Sequence, residues 1–259
     1  MRLQLIIFIL FVLLLNAFSI SAQHGITLPT LKDKFEKKLG NLRMSNTIIK
    51  LGRIKNNEVR YDTIRLFNDG QIPMNISLPL KLPLYMKVNI KGLPVAAGGE
   101  GYIALVYEAS KKNDYGFVFD RIQLNSDDAV MPQKYITVTA VIDEFFPNEQ
   151  LNDGMNAKAL IPERSFNFEK LKQGEKISHY FKIYNVGKRP LLLHKIKTNN
   201  GCIKASFSKK EIAPGDSAII LSEYDSFGKL GKELRIFSLY INDPLLPEVK
   251  FEINGEVSK

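Results

Sequence analysis

Cys202 is the only thiol in the chain, and His194 stands eight residues before it. A cysteine turns nucleophilic when a nearby base or cation favours its thiolate, so this pair is the first place to look for chemistry. The plainer reading is a half-buried thiol at a strand end, because free cysteine usually behaves as a small hydrophobe. A zinc site needs three or four convergent ligands. His179, His194 and Cys202 supply at most three, and His179 shares the alternation of Phe181 and Ile183, which places it beside a core. His24 is remote from all of them.

Other motifs lead no further. Gly98-Gly99-Glu100-Gly101 lacks the Gly-Lys-Ser/Thr ending of a phosphate loop and leads into a strand, so no helix dipole faces an anion. There is no Gly-x-Ser-x-Gly elbow. Asp127-Asp128 and Asp225 fit no calcium-loop spacing. Asp62-Thr63-Ile64 and Asp216-Ser217-Ala218 match short triplets that are O-glycosylated in some Gram-negative periplasms. The expectation is a protein that is not an enzyme, with no cofactor, no metal and no catalytic residue.

What positions these residues is a repeat. Within residues 166–193, the stretch 168–193 recurs 117 positions earlier, without a gap, at 51–76. Each copy has a glutamate (Glu58, Glu175) ahead of an alternating apolar run. Each run ends in Asn-x-Gly (Asn68 and Gly70; Asn185 and Gly187), with a proline three residues on (Pro73, Pro190). Asparagine tolerates positive φ and glycine adopts it freely, so a turn is predicted at each. Further on, the turn at Ala213-Pro214-Gly215 matches Ala96-Ala97-Gly98, and Asn242-Asp243-Pro244 matches Asp127-Asp128-Ala129. Asn68, Gly70, Pro73, Asn185, Gly187, Pro190, Pro214 and Gly215 are therefore structural markers, and Cys202 is a candidate free thiol.

The chain has 259 residues, enough for two ordinary domains. The fold expected is all-β: two tandem immunoglobulin-like β-sandwiches after a signal peptide. The divisions are 1–22 signal peptide, 23–43 an N-terminal segment with a short amphipathic helix, 44–143 the first sandwich, 144–156 a linker and 157–259 the second. Strands are predicted at 59–67, 102–108, 117–124 and 135–142, then at 177–184, 191–197, 203–207, 217–224, 233–241 and 249–257. Pro79 and Pro83 make 74–84 an edge strand or an irregular crossing. About seven short alternating strands per module is the immunoglobulin-like pattern.

At the N-terminus, Arg2 precedes an apolar run from Leu5 to Leu15 and then Ser19-Ile20-Ser21-Ala22. This is the layout of a secretory leader cut after Ser21 or Ala22. The run is shorter than the ~20 residues that span a bilayer. The protein is expected to be exported, periplasmic or extracellular, with no membrane span in the mature chain. One cysteine allows no intramolecular disulfide, so stability must come from the cores.

The second module contains Phe166-x-Phe168, Gly174-Glu175, His179-x-Phe181-x-Ile183-x-Asn185-x-Gly187, Pro190-Leu191, Gly201-Cys202, Ile212-Ala213-Pro214-Gly215 and Asn254-Gly255-Glu256-Val257. By this set it resembles the ASH, or hydin-type, immunoglobulin-like domain, and within it the bacterial domain-of-unknown-function family fifteen seventy-three. The family's usual Cys-Gly-Cys is Asn200-Gly201-Cys202 in this chain. The first module is a diverged copy. The resemblance implies an exported protein of a Gram-negative envelope whose modules bind or scaffold.

The net charge of +9 draws the chain to anionic surfaces. Nucleic acid is not the expected partner, since no basic helix or aromatic-studded strand pair appears. The expected partner is a protein or an envelope polymer, held at strand edges or end loops near Pro79, Pro83 or residues 198–203. The rivals are a pilus-type chaperone that donates a strand to clients and an enzyme or metal protein using Cys202 and His194.

Overall fold

Strands with one apolar and one polar face need a second sheet to cover the apolar one, and this chain meets that need twice. The computed structural model describes residues 34–148, 154–198 and 201–259. Residues 1–33, 149–153 and 199–200 lie outside them.

In the first sandwich one sheet contains β1 (Lys37–Leu39), β2 (Leu42–Met44), β4 (Val59–Asn68), β7 (Glu100–Glu108) and β6 (Met86–Lys91), in the order β1-β2-β4-β7-β6. The facing sheet contains β3 (Ile48–Lys55), β9 (Gln133–Asp143), β8 (Gly116–Ser126) and β5 (Ile76–Ser77), in the order β3-β9-β8-β5. In the second sandwich β10 (Ala159–Leu160), β12 (Lys176–Asn185), β16 (Ser217–Asp225) and β14 (Ile203–Phe207) form one sheet in that order. Opposite them lie β11 (Ser165–Lys172), β18 (Glu248–Ser258), β17 (Gly231–Ile241), β13 (Leu191–Thr198) and β15 (Glu211–Ile212). Neighbours are antiparallel except β3 with β9 and β11 with β18, which run parallel. Leaving aside β1, β2, β10 and β15, both units set four strands against three, as immunoglobulin-like sandwiches do.

Each unit has its own core. Ile64, Leu66, Ile103, Leu105, Val118, Ile122, Ile136 and Val138 alternate inward in the first. In the second, Phe181, Phe237 and Phe251 stack across the sheets, with ring centroids 4.8 Å and 5.0 Å apart around Phe251. Truncating such a ring costs ~3–5 kcal/mol.

The duplication is longer in space than in residue identity. β3, β4 and β7 lie 117 positions before β11, β12 and β16, end for end. The pairing of Met74 with Val95 is the pairing of Leu191 with Ile212. After β7 the offset falls to 115: β8 and β9 match β17 and β18. Residues 109–115 of the first unit, which include the one-turn helix α1 (Ala109–Lys112), face the shorter connection 226–230 of the second.

Two expectations are corrected. Leu39 and Leu42 belong to no helix: β1 and β2 form a hairpin around Gly40, whose φ is +66°. Leu42 and Met44 are fully buried, and β2 pairs with β4, so the first sandwich starts before Met44. Leu28 and Leu31, on which the helix reading also rested, lie outside the described residues. Nor do Asn68, Gly70, Asn185 and Gly187 need positive φ, since none has it. The glycines are required for space. A Cβ on Gly187 would collide with the backbone of Asn156 and Lys158, and one on Gly70 would press on Asn68 and Asn41.

Candidate functional site

The markers shared by the two copies are fastenings. Asn68 is fully buried and donates from Nδ2 to the carbonyls of Ile72 (2.7 Å) and Val95 (2.9 Å), while its Oδ1 accepts from the Gly70 N–H (3.0 Å). Asn185 makes the same three bonds to Arg189, Ile212 and Gly187, at 2.8, 2.9 and 3.0 Å. Each closes the loop before the proline (Pro73, Pro190) onto the turn before β7 or β16. In that turn Gly98 and Gly215 have φ of +66° and +81°, and Pro214 presets the turn in the second copy. Asp128 and Asp243 are a second matched pair, both buried. Asp128 accepts from the N–H groups of Asn41 (2.9 Å) and Val130 (3.1 Å), and Asp243 from Ala159 and Leu245 (both 2.9 Å). Both pin the segment that enters their sandwich.

Lys134 is peculiar to the first unit. Its ammonium is fully buried against Asp128 (2.9 Å) and the Ser126 hydroxyl (2.9 Å), and it also donates to the Met131 carbonyl. Burial pushes the Asp128 carboxyl up, but Lys134 and the two N–H donors overcome this and hold it below the usual carboxylate range.

A polar cluster bridges the sheets at one end of each unit. In the first, the Tyr85 and Tyr107 hydroxyls donate to Asp120 (2.7 and 3.1 Å), and Lys112 on α1 reaches both Tyr85 (2.8 Å) and Asp120 (2.5 Å). Burial and the Asp120 charge push the Tyr107 hydroxyl far above its ordinary value. In the second, Tyr224 takes the place of Tyr107 and Cys202 that of Tyr85, 117 positions on. Arg235 pairs with Glu233 beneath them, and burial followed by Glu233 pushes the Tyr224 hydroxyl up. The first cluster is consumed within its sandwich.

Where the repeat is broken, the two units touch. Asp114 and Tyr115 follow α1. Asp114 accepts from Lys195 (2.8 Å) and Lys197 (3.1 Å) of β13. Burial pushes the Asp114 carboxyl up, yet the two lysines and the Tyr115 N–H bring it below the ordinary value. The Tyr115 ring stacks on His194 at 4.3 Å, and His194 Nε2 meets Glu144 at 2.7 Å. Lys197 also donates to the Phe117 carbonyl (2.8 Å). Beside these contacts is a cleft of about 270 Å³ whose lining includes Arg53, Phe117, Val141, Tyr240 and Glu248. Arg53 is held by Asp143 at 2.6 Å, and burial and Glu248 push the Tyr240 hydroxyl up to about 12.

The cleft opens onto the outer face of β3, β9 and β8. Phe117 and Phe119 are each 60% exposed there, alongside Ile48, Lys50, Arg121 and Tyr135. The Arg121 guanidinium lies 3.8 Å from the centre of the Tyr135 ring. Asp143 is the one carboxylate on these outward positions, and Arg53 and Lys55 already occupy it. The second unit carries Lys232, Leu234, Ile236 and Lys250 where the first has Phe117, Phe119, Arg121 and Tyr135.

Residues 160–257 match the family model described as protein of unknown function, DUF1573. That match falls on the second sandwich. The motif set from Phe166 to Val257 thus led to the family whose model matches, and the first sandwich repeats the strand order of the matched unit. A protein of unknown function from Porphyromonas gingivalis W83 is similar over 84% of this chain and 100% of its own, at 18% identity and TM-score 0.58, which speaks for the fold alone. The ASH / PapD-like domain of human CEP192 is 10% identical over 45% of this chain and 94% of its own, with TM-score 0.34. The YadV chaperone is 13% identical over 83% of this chain and 99% of its own, with TM-score 0.30. These two likenesses are too remote to bear on function. No curated protein matches the sequence.

Within the second sandwich, Cys202 and His194 lie in different sheets. Cys202 precedes β14 and packs partly buried on the core, while His194 is on β13 in the other sheet and turns to the first sandwich. His179 flanks the core, stacked on Phe166 at 4.0 Å and near Glu163 (3.3 Å). Among the described residues no three His, Cys, Asp or Glu side chains converge as a metal site would require, and no helix is long and apolar enough to cross a membrane. Sequence reasoning missed the β8 face, though Phe117, Phe119 and Tyr135 stood at outward positions of strands it had identified.

Proposed function

We propose that this chain is an exported binding protein without catalytic activity, acting in the Gram-negative envelope through contact with a protein or an envelope polymer. The observation that carries the reading is the exposed aromatic and cationic face of β3, β9 and β8, whose rings the duplicated unit lacks at equivalent positions. Two neighbouring rings left 60% exposed in a duplicated fold are a surface kept for contact. The groups with displaced pKa values support the same reading: Asp114, Asp128 and Tyr107 are spent on fastening strands, termini and the junction. Arg2, the apolar run and the Ser21-Ala22 region support export.

The strand-donating chaperone finds less support. Its clients would need free cations at the junction, and Arg53, Lys195 and Lys197 are already paired with carboxylates.

Chemical crosslinking in the native envelope, with identification of what is captured, tests the reading. A discrete partner or polymer attached to the fractionated, leader-free protein is the expected result. Recovery of the chain solely in the cytoplasm, or always uncrosslinked, would count against it.

A further inference from the structure

The outer face of the first unit is itself periodic. The pairings of β3 with β9 and β9 with β8 line up Arg53, Val141 and Phe117 in one row across the sheet. The next row is Lys50, Thr139 and Phe119, and the one after is Ile48, Thr137 and Arg121. Each row carries one cation and one large apolar side chain. Tyr135 and Gln123 close the series beyond Arg121. Successive rows are two residues apart, ~7 Å along the strands. Arg53 is neutralised by Asp143, whereas Lys50 and Arg121 have no carboxylate partner among the described residues.

A surface that repeats a ring and a charge fits a ligand that repeats an apolar face and an anion. We propose that the face of β3, β9 and β8 binds an anionic polysaccharide, whose sugar rings lie on Phe117, Phe119 and Tyr135 and whose carboxylate or sulfate groups meet Lys50 and Arg121. Thr137 supplies a hydroxyl group for the sugar hydroxyls, while Thr139 and Gln123 are held by Ile49 and by Asn125 and Tyr135. This deepens the binding reading above and rests on it.

Lys50 decides between a polymer and a protein partner. It stands in the same row as Phe119, in the middle of the face. A protein interface would bury that ammonium, and lysine is depleted at interface centres for this reason. A hydrated polyanion pairs with Lys50 without burying it. A second copy of the chain is disfavoured by charge, since a two-fold contact would set Lys50 and Arg121 against their own equivalents.

The test is titration of the purified chain with polygalacturonate, with its fully methyl-esterified form and with polyglutamate, at low and physiological salt. Polygalacturonate should bind best. Phe119→Ala and Arg121→Ala should each weaken it about tenfold, a loss typical of one aromatic or charged anchor. Leu234→Ala on the equivalent face of the second sandwich should change nothing, and thermal melting should show every variant folded. Equal binding of polyglutamate, or an unchanged Phe119→Ala variant, would reduce the effect to bulk charge and overturn the proposal. If polygalacturonate fails while envelope crosslinking captures a protein through Phe119, the polysaccharide assignment falls and the binding reading stands. If both fail, both fall.

Discussion

Asn68 and Asn185, 117 positions apart, make the same three side-chain hydrogen bonds to residues that are themselves 117 apart. A buried amide with its donors and acceptor all satisfied is costly to remove, because it leaves two carbonyls and an N–H orphaned. Asn68→Ala and Asn185→Ala should each destabilise by about 2–4 kcal/mol. Urea unfolding followed by hydrogen exchange should localise each loss to the sandwich that holds the substitution. A loss spread evenly over both units would contradict their having separate cores.

The Asp128–Lys134 pair predicts an acid-sensitive first sandwich. The Asp128 carboxyl is held below its unfolded value, so its contribution is present above about pH 4 and lost as pH falls through the folded value. Asp128→Asn should remove that acid dependence and cost about 3–5 kcal/mol at neutral pH, because it leaves Lys134 buried and unpaired. Lys134→Val copies Val249 of the second unit, where the matching Asp243 is held by N–H groups alone. It should cost less than Asp128→Asn. Chemical denaturation between pH 3 and 8 measures both.

Glu169 has φ of +58°, in a bulge of β11 where the first unit has Gly52 at +72°. A non-glycine residue in this region is strained by ~1 kcal/mol. Glu169→Gly should therefore not destabilise as a strand glycine usually does, and should raise the melting temperature of the second sandwich. A fall of more than a degree would mean that contacts of the Glu169 side chain outweigh the strain.

Asp114 ties two lysines of β13 to the first sandwich. Asp114→Ala should leave each core intact and loosen the junction. Small-angle scattering should then report a larger radius of gyration, with unchanged melting of both units. Its effect should rival that of Tyr115→Ala, which removes the stack on His194.

The strands were legible because alternation is a local signal, and 203–207 and 217–224 coincide with β14 and β16 to within a residue. The N-terminal leucines misled because Phe35, Leu39 and Leu42 satisfy a helical period. Gly40 and pairing of β2 with β4 decide for a hairpin, and that pairing is non-local. The glycine after Asn68 or Asn185 was located correctly and explained wrongly: a crossing backbone demands Gly187 and the Asn68 and Asn41 side chains crowd Gly70, and no local rule shows either. Asp128 with Lys134, and Asp114 with Lys195, could not be read because each needs the fold to bring charges together. The junction was hidden for another reason, since it grows from the departure from the repeat at 109–115.

That this duplicated β unit works by contact through one face of its first sandwich is tested most directly by a photo-crosslinking residue placed at Phe119 or at Leu234 in the exported protein. The account predicts a defined adduct from position 119 and none from position 234. Adducts from position 234 alone, or equal labelling at both, would contradict it.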